Sequence, residues 1–103
     1  MTTPKYDVQL TPRAEKDLKK LRHDLANVLQ QISVLETDPL RGEILKGELR
    51  DARSLHFSLK GGGQYRAIYV ITKDQTVCLV FLIAARENLY KEAQRRLESL
   101  EFD

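Results

Sequence analysis

The sequence is poor in cysteine, proline and glycine. It contains one cysteine, three prolines and five glycines among its 103 residues. The single cysteine, Cys78, excludes a disulfide framework within the chain and favours a reducing, cytosolic environment. Because 42 % of the residues are apolar and proline and glycine are few, the composition indicates a folded domain rather than a disordered chain.

Long apolar runs are also missing. The longest strongly apolar stretch, residues 76–85, is too short to cross a bilayer. No apolar segment follows a basic start at the N-terminus, so we expect no signal peptide. These absences predict a cytoplasmic protein without a membrane anchor.

The motifs of the common cofactor and metal sites do not occur. The sequence has no phosphate-binding loop, dinucleotide fingerprint, serine nucleophile elbow or zinc-type ligand spacing. The two histidines, His23 and His56, are far apart and have no cysteine or acid at ligand spacing. We therefore expect neither a metal nor a cofactor.

The charges are unevenly distributed along the chain. Seventeen Lys and Arg against fifteen Asp and Glu give a net charge of +2. Three of the acids, Glu98, Glu101 and Asp103, lie in a C-terminal tail that follows all the basic residues. The remainder is therefore more basic than the net charge indicates, which favours a polyanionic or acidic partner.

The N-terminal third predicts one strand and two helices. Apolar and polar residues alternate over residues 6–10, as in a half-buried strand. Thr11 and Pro12 then form a typical helix start, with an N-cap and a proline at the first helical position. Apolar residues at helical spacing continue to Leu35, and Asp24 is a candidate cap for a second helix.

The rest of the chain predicts three strands and a final helix. Residues 38–54 favour a structured loop with a short strand. Alternation over 55–59 predicts one strand, and residues 65–72 predict the next, joined to it by a glycine-rich hairpin. Residues 77–84 are apolar on both faces and predict a central strand. A last helix is predicted from Asn88 onwards.

These elements predict an α+β fold with the order β-α-α-β-β-β-α. The last three strands are joined by short turns and form an antiparallel meander. Helices with one apolar stripe must pack on the sheet, and we expect all of them on one face. The length fits one domain over residues 1–103.

Four segments together form a recognisable pattern. They are the run after the glycine turn at 65–71, the final strand and its arginine at 80–87, the Leu-Lys-Gly sequence at 45–47 and the helix start at 11–14. This pattern resembles the RelE/ParE superfamily of toxins from toxin–antitoxin systems. The resemblance covers essentially the whole chain, and the predicted element order matches the RelE-like fold.

The resemblance implies two alternative activities. RelE-type toxins cut mRNA in the ribosomal A site, and ParE-type toxins inhibit DNA gyrase without nuclease chemistry. Metal-independent RNA cleavage needs a base for the 2′-hydroxyl, cations for the phosphate and an acid for the leaving 5′-oxygen. We favour the endoribonuclease. A gyrase inhibitor and a non-toxic remnant that only binds an antitoxin stay open as alternatives.

The resemblance also implies the partners. They are a cognate antitoxin protein, the ribosome and mRNA, with operator DNA bound only through the antitoxin. No membrane is implied.

Four residues are candidates for catalysis when the RelE pattern is carried over. Arg66 matches the arginine that stabilises the transition-state phosphate, and Arg86 matches the second family arginine. Tyr90 resembles the tyrosine that stacks on or orients the nucleotide. His56 and Ser58 occupy positions where the type member has lysines, and His56 has a side chain suited to proton transfer near neutral pH.

Four further basic residues are candidates for RNA binding, namely Lys46, Arg50, Arg53 and Lys60. Each candidate also has a structural alternative. Arg86 is equally suited to an ion pair with Glu87 or Glu92, Tyr90 to packing on the sheet, and His56 to an ordinary cross-strand position.

Overall fold

The computed structural model describes residues 5–59, 63–74, 76–85 and 89–100. Among these residues, no helix has the length and apolar character needed to cross a membrane. Three short 3₁₀ turns, Arg22–Asp24, Val34–Glu36 and Gly47–Leu49, connect the main elements. Those elements are β1 (Asp7–Leu10), α1 (Pro12–Lys19), α2 (Leu25–Ser33), β2 (Glu43–Ile44), β3 (Ala52–Ser58), β4 (Gln64–Ile71), β5 (Val77–Ala85) and α3 (Leu89–Ser99).

The strands form one five-stranded sheet in the order β1-β5-β4-β3-β2. The predicted meander is confirmed, since β3, β4 and β5 pair antiparallel in succession. β5 was predicted to be central; it lies between β4 and β1 and is therefore flanked on both sides, although β4 is the middle strand of the five. β1 pairs with it in parallel, from Asp7 opposite Val77 to Leu10 opposite Val80. β2 is the short strand expected in the segment 38–54.

The two predicted helix caps differ in outcome. Thr11 caps α1, because the Ala14 N–H donates to its Oγ1 at 3.1 Å and Pro12 is the first helical residue. The prediction for Asp24 is wrong, since its side chain makes no capping hydrogen bond to α2. Its backbone, at φ −121° and ψ 14°, belongs to a 3₁₀ turn rather than to the extended conformation of an N-cap.

The helices lie on both faces of the sheet, so the prediction of one covered face is wrong. Leu18 of α1 and Val28 and Ile32 of α2 pack on one face of the sheet, in the same apolar cluster as Phe57 and Tyr69. α3 packs on the opposite face, which we call the α3 face, through Leu89 and Ala93 against Ile68, Val70, Phe81 and Leu82. Two covered faces are required because β4 and β5 carry apolar side chains on both sides.

A β-bulge in β5 changes which residues face α3. The neighbours Ile68 and Tyr69 in β4 pair with Leu82 and Val80, so Phe81 is an extra residue. Val80 belongs to the α1–α2 side, whereas Phe81 and Leu82 both belong to the α3 side. The bulge therefore shifts the alternation of the strand by one residue along its second half.

An ion pair lies along the edge of β5 where β1 has ended. The last residue of β1, Leu10, is opposite Val80, so the following part of β5 has no strand on that side. Instead, the Ile83 N–H donates to Asp17 Oδ2 at 3.0 Å, and Arg96 Nη1 donates to the Phe81 carbonyl at 3.0 Å. Side chains from α1 and α3 thus satisfy the backbone groups that a neighbouring strand would otherwise satisfy.

The same two side chains form a bidentate pair with little access to solvent. Arg96 Nη1 and Nη2 donate to Asp17 Oδ2 and Oδ1 at 2.7 and 3.2 Å, and the side chains are 12 % and 10 % exposed. Arg96 Nε also donates to Glu92 Oε2 at 2.7 Å, which holds the pKa of Glu92 below its usual value. Burial disfavours the charge on Arg96, but the hydrogen bonds to Asp17 and Glu92 outweigh it and raise the Arg96 pKa.

A buried tyrosine attaches the loop before β2 to the sheet. Tyr69 is fully buried, and its hydroxyl accepts from the Gly42 N–H at 2.9 Å and donates to the Pro39 carbonyl at 2.6 Å. A Cβ at Gly42 would lie 2.6 Å from the Tyr69 hydroxyl oxygen. Position 42 therefore requires glycine for the close approach of the ring.

We expect Tyr69→Phe to lower the free energy of unfolding by about 1–3 kcal/mol, because the buried Gly42 N–H and the partly buried Pro39 carbonyl lose their partner. Urea denaturation measures the change. Tyr65→Phe is the matched control in the same strand, since Tyr65 is only partly buried and its ring stacks on Phe57. Equal effects of the two substitutions would contradict the assignment.

We expect Cys78 to resist alkylation in the folded protein. It is fully buried, and burial raises the pKa of its thiol to about 11, so the reactive thiolate is scarce near neutral pH. Labelling with iodoacetamide, followed by mass spectrometry, should be slow without denaturant and rapid in concentrated urea. Rapid labelling of the folded chain would show that the α1–α2 side of the sheet opens readily.

Candidate functional site

Polar side chains replace apolar ones at one end of the α3 face. In the register of β3 and β4, His56 lies opposite Arg66, and Ser58 lies opposite Gln64. Alternate residues of a strand share a face, so these four lie on the same side as Ile68, which contacts α3. We call them, together with Tyr90 of α3, the polar end.

Arg66 and Tyr90 are in direct contact across the polar end. Arg66 Nη1 donates a hydrogen bond to the Tyr90 hydroxyl, and the guanidinium carbon lies 5.6 Å from the centre of the Tyr90 ring. This distance is within the range of a cation–π interaction. Tyr90 remains 42 % exposed, so its ring is accessible to a ligand.

His56 pairs with Arg66 across β3 and β4. Its Nε2 is 3.8 Å from Glu43 Oε2, with side-chain exposures of 47 % and 75 %. This distance exceeds a hydrogen bond, and an exposed ion pair of this kind contributes little stability. Sequence reasoning did not identify Glu43, because its approach to His56 depends on the pairing of β2 with β3.

Two of the predicted RNA-binding residues flank a turn that packs on α3. Lys46 precedes the turn Gly47–Leu49 and Arg50 follows it, and both are exposed. Leu49 packs in the same apolar cluster as Leu89 of α3. Lys46 and Arg50 therefore lie on the α3 side of the sheet, as the polar end does.

The structure does not bring Arg53 to the polar end. Arg53 pairs with Tyr69 in β4, so it lies on the face opposite to His56 and Arg66. Its Nη1 donates to the Gly42 carbonyl at 2.9 Å and to the Leu40 carbonyl at 3.2 Å. Arg53 thus stabilises the loop before β2. It precedes His56 by three residues in β3, and residues an odd number apart on a strand lie on opposite faces of the sheet.

Two predicted site residues, Arg86 and Lys60, lie outside the described residues. Within the described ranges, no group of three or more His, Cys, Asp and Glu side chains is placed to bind one metal ion. Three side chains of the polar end have groups suited to RNA chemistry, namely the guanidinium of Arg66, the imidazole of His56 and the exposed phenol ring of Tyr90. A guanidinium binds phosphate, an imidazole transfers protons near neutral pH, and an aromatic ring stacks on a nucleobase.

Comparison with known families gives a match over most of the chain. Residues 8–94 match the family model of the ParE-like toxin of type II bacterial toxin–antitoxin systems. A chain in the crystal structure of the toxin–antitoxin complex RelBE2 from Mycobacterium tuberculosis is 30 % identical, with a TM-score of 0.68. That alignment covers 80 % of this chain and 99 % of the other. The comparison with curated proteins gave no match.

More distant structures share the fold. A free double mutant of the E. coli toxin RelE is 20 % identical, covers 93 % of this chain and 99 % of its own, and has a TM-score of 0.69. A chain in the archaeal RelE–RelB complex from Pyrococcus horikoshii is also 20 % identical, covers 82 % and 98 %, and has a TM-score of 0.55. The predicted RelE-like fold is therefore confirmed.

We expect Arg66→Ala and Tyr90→Phe each to change the free energy of unfolding by less than about 1 kcal/mol, because both side chains are partly exposed. Urea denaturation of the two variants and the wild type checks this. A loss above about 2 kcal/mol would mean that the contact is part of the structural framework rather than an accessible site.

Proposed function

The chain belongs to the ParE-like toxins of type II bacterial toxin–antitoxin systems, and we propose that it is an endoribonuclease that cleaves mRNA on the ribosome. The observation that carries the proposal is that Arg66 is paired with His56 across the strands and donates a hydrogen bond to Tyr90. A gyrase inhibitor without nuclease activity does not need this combination of groups.

Arg66 is the proposed contact for the scissile phosphate. A guanidinium has five N–H donors, and the one at Nη1 that reaches Tyr90 leaves others for phosphate oxygens. The charge on the phosphate grows as the 2′-hydroxyl attacks, so a cation fixed on a strand stabilises the transition state more than the ground state. Arg86, which follows the last residue of β5, is proposed as the second arginine.

His56 and Tyr90 are assigned the proton-transfer and orienting roles. His56, opposite Arg66 and 47 % exposed, takes the proton of the 2′-hydroxyl or gives one to the leaving 5′-oxygen. The ring of Tyr90 provides a stacking surface for a base next to the cut, an interaction worth about 1–3 kcal/mol.

The flanking basic residues are proposed to guide the RNA. Lys46 and Arg50, on the α3 side, and Lys60, between β3 and β4, contact the phosphate backbone in this scheme. Arg53 is left out because its guanidinium donates to the carbonyls of Leu40 and Gly42.

A cognate antitoxin is the proposed regulatory partner. The M. tuberculosis and P. horikoshii structures are complexes of a toxin with its antitoxin. We infer that an antitoxin of this chain covers the basic polar end, and that operator DNA is bound through the antitoxin.

Gyrase inhibition is the second candidate function, and the residue types at two positions of β3 favour it. At the two positions where the RelE type member carries lysines, this chain has His56 and Ser58. The loss of two cations from a nuclease site is compatible with a toxin that binds its target without cutting RNA, and also with a non-toxic remnant.

We expect expression of the protein alone in a bacterial host to produce new mRNA 5′ ends inside translated codons. Arg66→Ala should reduce cleavage by about 100-fold or more, the usual effect of removing a group that stabilises transition-state charge. Mapping of 5′ ends after induction measures both. Arg95→Ala is the matched control, because this arginine is on α3 but is 73 % exposed and pairs only with Glu92 among the described residues.

Other outcomes identify the alternatives. Growth arrest with a DNA-damage response and no mRNA cuts would favour gyrase inhibition. Normal growth at high levels of soluble protein would favour the non-toxic remnant. Cleavage that persists in folded Arg66→Ala would exclude the proposed site.

A further inference from the structure

We propose that Asp17 and Arg96 act as positioning residues that set the placement of Tyr90 against Arg66. The pair lies at the edge of β5 and touches none of the residues of the polar end in the contacts described above. Its consequence for RNA cleavage rests on the proposed function, whereas its consequence for the geometry of Tyr90 does not.

The Asp17 carboxylate is a fixed anchor. It belongs to α1, whose start is set by the Thr11 cap, and its Oδ2 accepts the Ile83 N–H of β5 at 3.0 Å. The side chain is 10 % exposed. The position of the carboxylate is therefore determined by the sheet as well as by the helix.

Arg96 connects α3 to this anchor with directional bonds. Its guanidinium donates to both oxygens of Asp17, to the Phe81 carbonyl at 3.0 Å and to Glu92 at 2.7 Å. A bidentate pair of this kind specifies orientation as well as distance.

The other contacts of α3 restrict its orientation less. Leu89 and Ala93 are its buried residues, and they pack on the apolar side chains of the sheet together with the partly buried Leu97 and, just after the helix, Leu100. Apolar packing is not directional, whereas the hydrogen bonds of Arg96 are. In the proposal, these bonds therefore set the height and rotation of α3 over the sheet.

Tyr90 is on the same helix, so it moves with Arg96. The two residues are six positions apart, a rise of about 9 Å along a rigid helix. The Tyr90 hydroxyl accepts from Arg66 Nη1, and its ring lies 5.6 Å from the Arg66 guanidinium carbon. A small rotation of α3 would break this contact while leaving the apolar cluster largely buried.

The first test reads the geometry of Tyr90 directly by ¹⁹F NMR of the full chain with 3-fluorotyrosine at position 90 alone. Arg66→Met removes the guanidinium and provides the reference spectrum of a Tyr90 ring without its contact to Arg66. We expect Arg96→Gln to move the resonance from the wild-type position towards that reference. Arg95→Gln, which removes an exposed charge from the same helix, should leave it unchanged.

Asp17→Asn is the second variant and does not depend on the first. An asparagine oxygen still accepts the Ile83 N–H, so the edge of β5 stays satisfied while the charge that holds Arg96 is lost. Folding of every variant is verified by circular dichroism and by protection of Cys78. A wild-type resonance in folded Arg96→Gln and Asp17→Asn would overturn the proposal.

The second test measures the rate of mRNA cleavage in a double-mutant cycle of Asp17 and Tyr90. Asp17→Asn should lower the rate of mRNA cleavage by about tenfold to 100-fold when Tyr90 is present, as expected for a misplacement of about 1 Å. It should have little further effect in Tyr90→Ala, which removes the stacking ring, because the two act as a unit. Equal losses in both backgrounds would overturn positioning through Tyr90. If the wild type cuts no mRNA, the proposed function fails, and the ¹⁹F result still decides the positioning role.

Discussion

The fold depends on how the edge of β5 is completed after β1 ends. A β-strand edge without a neighbour exposes backbone groups that must find partners. Here Asp17 and Arg96 supply an acceptor and a donor at this edge, one from each side of the sheet. Because the pair is largely buried, removal of either partner would leave an uncompensated charge, at a typical cost of about 3–5 kcal/mol. One interaction thus closes the edge and joins α1 to α3.

This closure lets a small sheet carry two apolar layers. β4 and β5 have apolar residues on both faces, and α1 with α2 covers one face while α3 covers the other. α3 spans only part of its face, over Ile68 and Leu82. Beyond it on the same face lie the polar side chains of His56 and Arg66, and Tyr90 of α3 contacts Arg66. The candidate site is therefore at the end of the α3 face where apolar packing gives way to polar side chains.

Local patterns in the sequence predicted the parts of the fold that depend on local physics. The alternation over residues 55–59, the two-sided apolar character of β5 and the cap at Thr11 each reflect contacts within a few residues. The side on which α3 packs was not predictable in this way, because an apolar stripe does not specify a face of the sheet. The pairing of Asp17 with Arg96 joins residues 79 positions apart, and no local pattern indicates it.

The arginines show why residue type alone could not define the site. Arg53, Arg66 and Arg96 are all basic residues in or near the sheet, but each has a different set of partners. Arg53 is on the opposite face, where it donates to carbonyls of the loop before β2.

Arg96 is 12 % exposed and is held by Asp17 and Glu92. Among the described residues, Arg66 donates a hydrogen bond to Tyr90 of α3. The register of β3 and β4 places Arg53 and Arg66 on opposite faces of the sheet, and the end of β1 leaves the edge of β5 at which Arg96 binds. Both are long-range properties of the sheet. A site of this kind becomes identifiable only when the partners of each cation are known.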